Sequence, residues 1–210
     1  MLLNKQKKDA ATIDLSAAKA KESFDKLFWN EGRNYLYDVI DENGKSNSEL
    51  RPNQLFAISL PFALLEGEKA EAVLKIIEEK LYTPVGLRSL PPEDVHYVHH
   101  YGGDQWHRDS SYHEGTVWSW LLGAYVDALM KVNGEWLKAK TVIDNFKYHL
   151  NEACIGQVSE IFDADAPHHP RGCVAQAWGV AEVLRVMKEY ELYDIKTKKT
   201  KGKRQAAELH

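Results

Sequence analysis

Apolar positions recur with a helical period in six stretches of this chain. The first predicts a helix over about 14–30, with Ala17, Ala20, Phe24, Leu27 and Phe28 on one stripe. Lys19, Lys21, Glu22 and Lys26 take the rest of its surface. The second starts at Pro52, a good first-turn residue, and reads NQLFAISLPFALL, apolar nearly all round, with a kink expected at Pro61. The third, about 68–81, is amphipathic through Ala70, Val73, Leu74, Ile77 and Leu81. The fourth, about 116–131, reads TVWSWLLGAYVDALM and is apolar all round. The fifth, about 135–150, is amphipathic through Ala139, Val142, Ile143, Phe146 and Leu150. The sixth, about 173–190, has Val174, Ala177, Trp178, Ala181 and Leu184 on one face and Val180, Val183 and Met187 on the next.

One-sided helices lie at a surface, and helices apolar all round are buried. The order is therefore outer, inner, outer, inner, outer, inner. Inner-to-outer connections are short, at 66–67 and 132–134, whereas outer-to-inner connections are long, at 31–51, 82–113 and 151–171. Long connections in a compact domain usually carry function. Antiparallel neighbours put all three at one end, which predicts an all-α fold of three αα-hairpins side by side in an α/α toroid. A small hairpin is expected in the first long loop, where Tyr35, Tyr37 and Val39 alternate ahead of Glu42-Asn43-Gly44. Residues 1–13 read as an N-terminal extension, 14–192 as the partial toroid and 193–210 as a basic, solvated tail.

The composition, 44 % hydrophobic and 28 % charged, is that of a globular chain. No apolar run is long enough for a membrane helix, and the first residues do not form a signal peptide. A net charge of −4 gives no reason to expect nucleic acid. Two cysteines, Cys154 and Cys173, read as reduced thiols of a cytoplasmic protein. Six Trp, ten Tyr and nine His are many for 210 residues, and seven of the His fall within 96–113 and 168–169. Flat aromatic faces beside hydrogen-bonding groups suit sugar rings.

The unusual polar residues gather in the long loops. Arg51, Asn53 and Gln54 close the first. The second has Asp104, Trp106, Arg108, Asp109, Tyr112, His113 and Glu114, and the third Glu160, Asp163, Asp165, His168, His169 and Arg171. Glycoside hydrolysis needs two carboxylic acids, one to protonate the leaving oxygen and one to activate water or attack. Glu160 stands out among the acids because Val158, Ile161 and Phe162 surround it. With no HExxH and no CxxC among the histidines, neither a metal nor a cofactor is expected. There is no GxSxG elbow and no phosphate loop.

Four segments then become recognisable: LRPNQLFAISLP (50–61), LYTPVGLRSL (81–90), YHEGTVWSWLLGAY (112–125) and SEIFDADAPHHPRGCVAQAWGVAEVLR (159–185). Together they resemble the C-terminal amylo-α-1,6-glucosidase domain of glycogen-debranching enzymes, over most of 28–190 and in the family's order. The resemblance implies an (α/α)6 toroid that removes the α-1,6-linked glucose at an α-glucan branch by hydrolysis with inversion. It assigns the general base to Glu160. It implies that Arg51, Asn53, Gln54, Trp106, Asp109, Tyr112, His113, Trp118, His169 and Arg171 lie along the sugar-binding end.

Two departures stand out. Family members usually read YHQGTVWPW, where this chain has Glu114, which puts a charge beside the expected sugar pocket, and Ser119. The family's general acid lies in a Trp-Gly-Arg-Asp motif that does not occur here, and six helices make only half of a twelve-helix toroid. The chain is therefore expected to be the C-terminal half of the domain, to self-associate or dock onto a complementary N-terminal half, and to be inactive alone. The alternatives are a non-catalytic α-glucan-binding helical module and a toroid epimerase with histidines as acid and base.

Overall fold

The computed structural model describes residues 2–193. Helix α1 (Leu2–Phe28) is continuous, so residues 2–13 extend the first helix rather than precede it. Two small hairpins follow. Strand β1 (Trp29–Asn30) pairs with β2 (Tyr35–Leu36), and β3 (Val39–Ile40) pairs with β4 (Ser46–Asn47). The second is the hairpin expected from the alternation. Asp41 Oδ1 shapes its turn by accepting the N–H groups of Asn43 at 2.9 Å and Lys45 at 2.8 Å.

The second expected helix is much shorter than its apolar run. A 3-10 turn, Pro52–Leu55, leads into α2 (Phe56–Ser59), which ends before Pro61 instead of kinking through it. Leu60 is extended, at φ −67° and ψ 155°, the conformation that a following proline imposes. Helix α3 (Gly67–Lys80) buries Ala70, Val73, Leu74 and Ile77, the stripe the periodicity marks.

The core is built around α5 (Leu121–Asn133), in which every residue from 121 to 129 is buried. It packs against α2, α3, α6 (Trp136–Phe146) and α7 (Ala177–Glu189). Helix α5 stops at Gly134, whose φ of 63° is the left-handed C-terminal cap that glycine favours. Helix α6 is one-sided, as expected, and runs into a second 3-10 turn, Lys147–Asn151. Helix α7 starts at Ala177, four residues later than expected. It buries Gly179, Val183 and Val186 but leaves Trp178 and Leu184 exposed, so it is not enclosed as an inner helix would be.

The purely helical expectation needs one correction. The long connections are not bare loops. A five-stranded antiparallel meander joins β5 (Tyr82–Thr83), β6 (Gly86–Arg88), β7 (Val117–Trp118), β8 (Ile161–Phe162) and β9 (Pro170–Arg171) in chain order. Strand β7 occupies the first turns of the fourth expected helix. Its partners exist only in the folded chain, where Leu87 faces Trp118 and Val117 faces Phe162. Gly86 is required at the β6–β7 crossing because a Cβ there would strike the Trp118 carbonyl. A short helix that periodicity did not reveal, α4 (Gln105–Ser111), is capped by Asp104, whose side chain accepts the His107 N–H at 3.0 Å. Of the expected tail, residues 194–210 lie outside the described residues. Among the described residues, no helix is long and apolar enough to cross a membrane.

Candidate functional site

The meander positions the central carboxylate. Glu160 immediately precedes β8, and its backbone N–H donates to the Cys173 carbonyl at 2.9 Å. Val158, Ile161 and Phe162 are buried around it while Glu160 itself is half-buried. Its carboxylate accepts two hydrogen bonds, from the Tyr112 hydroxyl and from the Cys173 backbone N–H at 2.9 Å. Burial, reinforced by the negative charge of Glu160, raises the pKa of Tyr112, so this phenol stays a donor. Gly172 lets the chain pass this close. Its φ is 63°, and a Cβ there would come within 2.5 Å of Glu160 Oε2.

Beside this pair is an aromatic cluster. The His113 ring lies flat on Trp118, with centroids 5.1 Å apart and planes 2° apart, and Tyr112 meets Trp118 edge-on at 4.8 Å. Trp178 stacks on Trp120 at 4.9 Å, and Trp120 on Phe56 at 5.6 Å. A cavity of about 330 Å³ opens against these rings. Trp118, Trp120 and Trp178 form its apolar side; Asp38, Arg51, Asn53, Ser89 and His113 form its polar side. That size is at the low end of small-molecule sites, roughly 300–1,000 Å³. Partial burial and the Arg51 charge lower the pKa of His113, which favours the neutral ring. Burial raises that of Asp38, against a hydrogen bond from Asn53.

Arg51 ties two of the long connections together. Its guanidinium donates to Glu49 at 2.8 and 3.1 Å, to the Ser89 carbonyl at 3.3 Å and to the His113 carbonyl. Glu114 Oε2 sits 3.5 Å from Arg51 Nη2, buried and without a hydrogen bond. Glu114 thus turns one carboxylate oxygen toward the arginine, outside the pocket lining, while its side chain stays partly exposed.

The other expected sugar-site residues take different places. Gln54 is buried and uses both polar atoms on the backbone, accepting from Leu36 N–H at 3.3 Å and donating to the Arg51 carbonyl at 3.0 Å. Trp118 lines the pocket but is only 5 % exposed, with His113 stacked on it, so it shows a ligand little surface. Trp106 and Asp109 lie exposed on α4, with Trp106 72 % accessible. His169 is exposed at the start of the β9 turn, where its carbonyl accepts the Asp163 N–H at 3.0 Å. Arg171 is committed to Asp163, with Nε at 3.0 Å and Nη2 at 2.8 Å from the two carboxylate oxygens. Asp163 is 1 % exposed and also accepts the Tyr101 N–H at 2.9 Å. Burial acts to raise its pKa, but Arg171, Tyr101 N–H and His100 outweigh it and hold the carboxyl below its usual range.

The histidine-rich segment 96–101 is strapped to the third connection. Asp165 accepts from the Tyr97 hydroxyl at 2.7 Å and contacts His99 Nδ1 at 2.6 Å. Burial and the Asp165 hydrogen bond push Tyr97 up to about 12. Sequence reasoning missed Asp38, Ser89, Trp120 and Trp178 as pocket residues. The two tryptophans stand in the quoted segments VWSW and AQAW, yet a tryptophan in an apolar helix carries no mark of which cavity it lines.

Three comparisons bear on these features. The family model described as amylo-alpha-1,6-glucosidase matches residues 2–185. The glycogen debranching enzyme of Saccharomyces cerevisiae is 32 % identical over 104 residues, which take in 46 % of this chain and 7 % of that protein. The neutral trehalase of the same yeast superposes with a TM-score of 0.59 at 15 % identity, covering 84 % of this chain and 30 % of that one. At such low identity this is a likeness of fold. The chain spans well under two thirds of either protein.

Proposed function

Because the chain belongs to the amylo-alpha-1,6-glucosidase family, we propose that it supplies the general base and part of the sugar pocket of an inverting α-1,6-glucosidase acting on branched α-glucans. The observation that carries this reading is the Glu160 carboxylate, held by Tyr112 and Cys173 N–H beside the Trp118 cluster. Both partners donate, so the form they hold is the carboxylate, the one able to take a proton from water. In an inverting hydrolysis that water attacks the anomeric carbon from the face opposite the departing oxygen, while a separate acid protonates that oxygen. Arg51, Asn53, His113 and Glu114 would contact or shape the bound glucosyl unit. Trp106, Asp109 and His169 would reach it only from the rim, and Gln54, Trp118 and Arg171 would hold that wall in place.

The chain would form one half of the toroid, the C-terminal one. The exposed apolar side chains of α7 support this reading: Trp178 is 44 % and Leu184 59 % exposed. A base without an acid leaves the departing oxygen unprotonated, and losing acid catalysis costs on the order of 10²–10⁴ in rate. The test is hydrolysis of an isomaltose-type substrate. The isolated chain should turn over little. Activity should appear with a complementary N-terminal half and disappear in Glu160→Gln. Robust turnover by the isolated chain would point to an acid within it, with Asp109 and Glu114 the first to examine. Full activity of Glu160→Gln would place the base elsewhere, and binding of the glucan with no turnover in either setting would favour a binding module.

A further inference from the structure

We propose that His149 is the positioning residue for Glu160, a neutral imidazole with its proton on Nδ1 whose Nε2 anchors the backbone leading into the carboxylate. The inference builds on Glu160 as the base. His149 lies in the 3-10 turn Lys147–Asn151, 1 % exposed, between Phe146 at 5.6 Å and Phe162 at 4.6 Å. Its Nε2 accepts the Ser159 N–H at 3.0 Å. A backbone N–H can only donate, so Nε2 must present its lone pair. The ring proton then belongs on Nδ1, which stands 3.1 Å from Glu152 Oε2. Glu152 is the charged group facing the ring; α6 and β8 contribute the two phenyl rings.

Ser119 completes the grip. Its hydroxyl lies 2.7 Å from the Ser159 carbonyl and 3.2 Å from that of Glu160, and its N–H donates to the Glu160 carbonyl at 3.4 Å. The residue pair 159–160 is thus held on its N–H side by His149 and on its carbonyl side by Ser119. Removing the imidazole strands a buried N–H. Protonating Nε2 sets donor against donor and releases the same bond. Either change removes the tie on the N–H side of the segment that aims the carboxylate at Tyr112 and Cys173, leaving that segment to Ser119 and the Cys173 carbonyl. His149 is ten residues from Ser159 in the chain and is absent from the pocket wall, so its influence runs through the Ser159 backbone bond and its packing on Phe162.

The experiment is nitrogen-15 NMR on the whole chain, reading the His149 ring together with the amides of Ser159 and Cys173. The Cys173 amide donates to Glu160 Oε2, so it reports where the carboxylate is. At neutral pH His149 should be protonated on Nδ1 and bare on Nε2, and on acidification both amides should shift in step with the ring. In His149→Leu the Cys173 amide should move toward its position in Glu160→Gln. In His149→Gln, whose side-chain oxygen can accept the Ser159 N–H, it should stay near the wild-type position and lose the shared pH transition. A ring protonated on Nε2 at neutral pH would overturn the proposal, as would an unmoved Cys173 amide in a folded His149→Leu. If His149→Leu does not fold, His149→Gln decides: persistence of the shared transition with no imidazole at 149 refutes the idea. Retained turnover in Glu160→Gln would sink the base assignment while leaving these NMR outcomes to judge His149 on their own.

Discussion

Replacing Arg171 by methionine should destabilise the fold while doing little to sugar binding. The reason is the carboxylate it would abandon. Asp163 is 1 % exposed, and Arg171 holds both its oxygens, at 3.0 and 2.8 Å. Breaking a fully buried pair by deleting one partner typically costs about 3–5 kcal/mol, because an uncompensated charge remains. Two features reduce that here. The Arg171 side chain is 42 % exposed, and the Tyr101 N–H still donates to Asp163 at 2.9 Å. We therefore expect about 2–3 kcal/mol, read as a lower urea midpoint with an unchanged m-value.

The pH dependence gives a second handle. The folded-state pKa of Asp163 lies below its unfolded value, so the folded chain binds this proton less readily. The ionised group contributes stability above the unfolded carboxyl value of about 3.9, and that contribution is lost as pH falls through the lower folded value. In Arg171→Met burial is opposed less, and the folded value moves up. The deficit against wild type should be full well above the variant's raised folded value and shrink as pH falls through it toward the lower wild-type value. A loss under about 0.5 kcal/mol, the scale of an exposed pair, would refute the anchoring argument. So would undiminished stability combined with weakened maltooligosaccharide binding, which would return Arg171 to the sugar.

Gly172→Ala should cost about 1–2 kcal/mol from the left-handed backbone alone, and its Cβ should also push the Glu160 carboxylate away from Cys173; thermal unfolding measures the first effect and the Cys173 amide shift the second, with an unmoved amide counting against the close approach. Trp106→Ala should change stability by no more than about 0.5 kcal/mol, since the ring is exposed, yet weaken maltooligosaccharide binding in calorimetry. Unfolding on that substitution would show instead that the ring packs.

What could be read in the chain follows from which interactions are local. Helices α3, α5 and α6 were legible because their burial is decided residue by residue along one axis: Ala70, Val73, Leu74 and Ile77 line one face, and 121–129 are buried all round. Strand β7 was not, because an apolar run such as TVWSWLL has no period to separate strand from helix. Val117 and Trp118 are extended because Arg88, Leu87, Phe162 and Ile161 pair with them, from residues roughly 30 to 45 positions away in sequence. The same distinction runs through the site. Glu160 stood out through its apolar neighbours and the family resemblance. The commitment of Arg171 to Asp163, and of Gln54 to the backbone, depends on which groups the meander and the 3-10 turn bring within 3 Å or so, and a polar residue looks alike in sequence whether it binds a ligand or braces a loop. Polar residues in long connections are thus best divided by one structural test: whether their hydrogen-bonding atoms are already spent. By that test Gln54, Arg51 and Arg171 are braces, whereas each Glu160 oxygen accepts a single hydrogen bond and keeps a further lone pair for a proton. Asn53 and His113 stay available to a ligand in the pocket wall, since the weak 3.4 Å bond from Asn53 to Asp38 and the flat stacking of His113 on Trp118 leave polar atoms uncommitted.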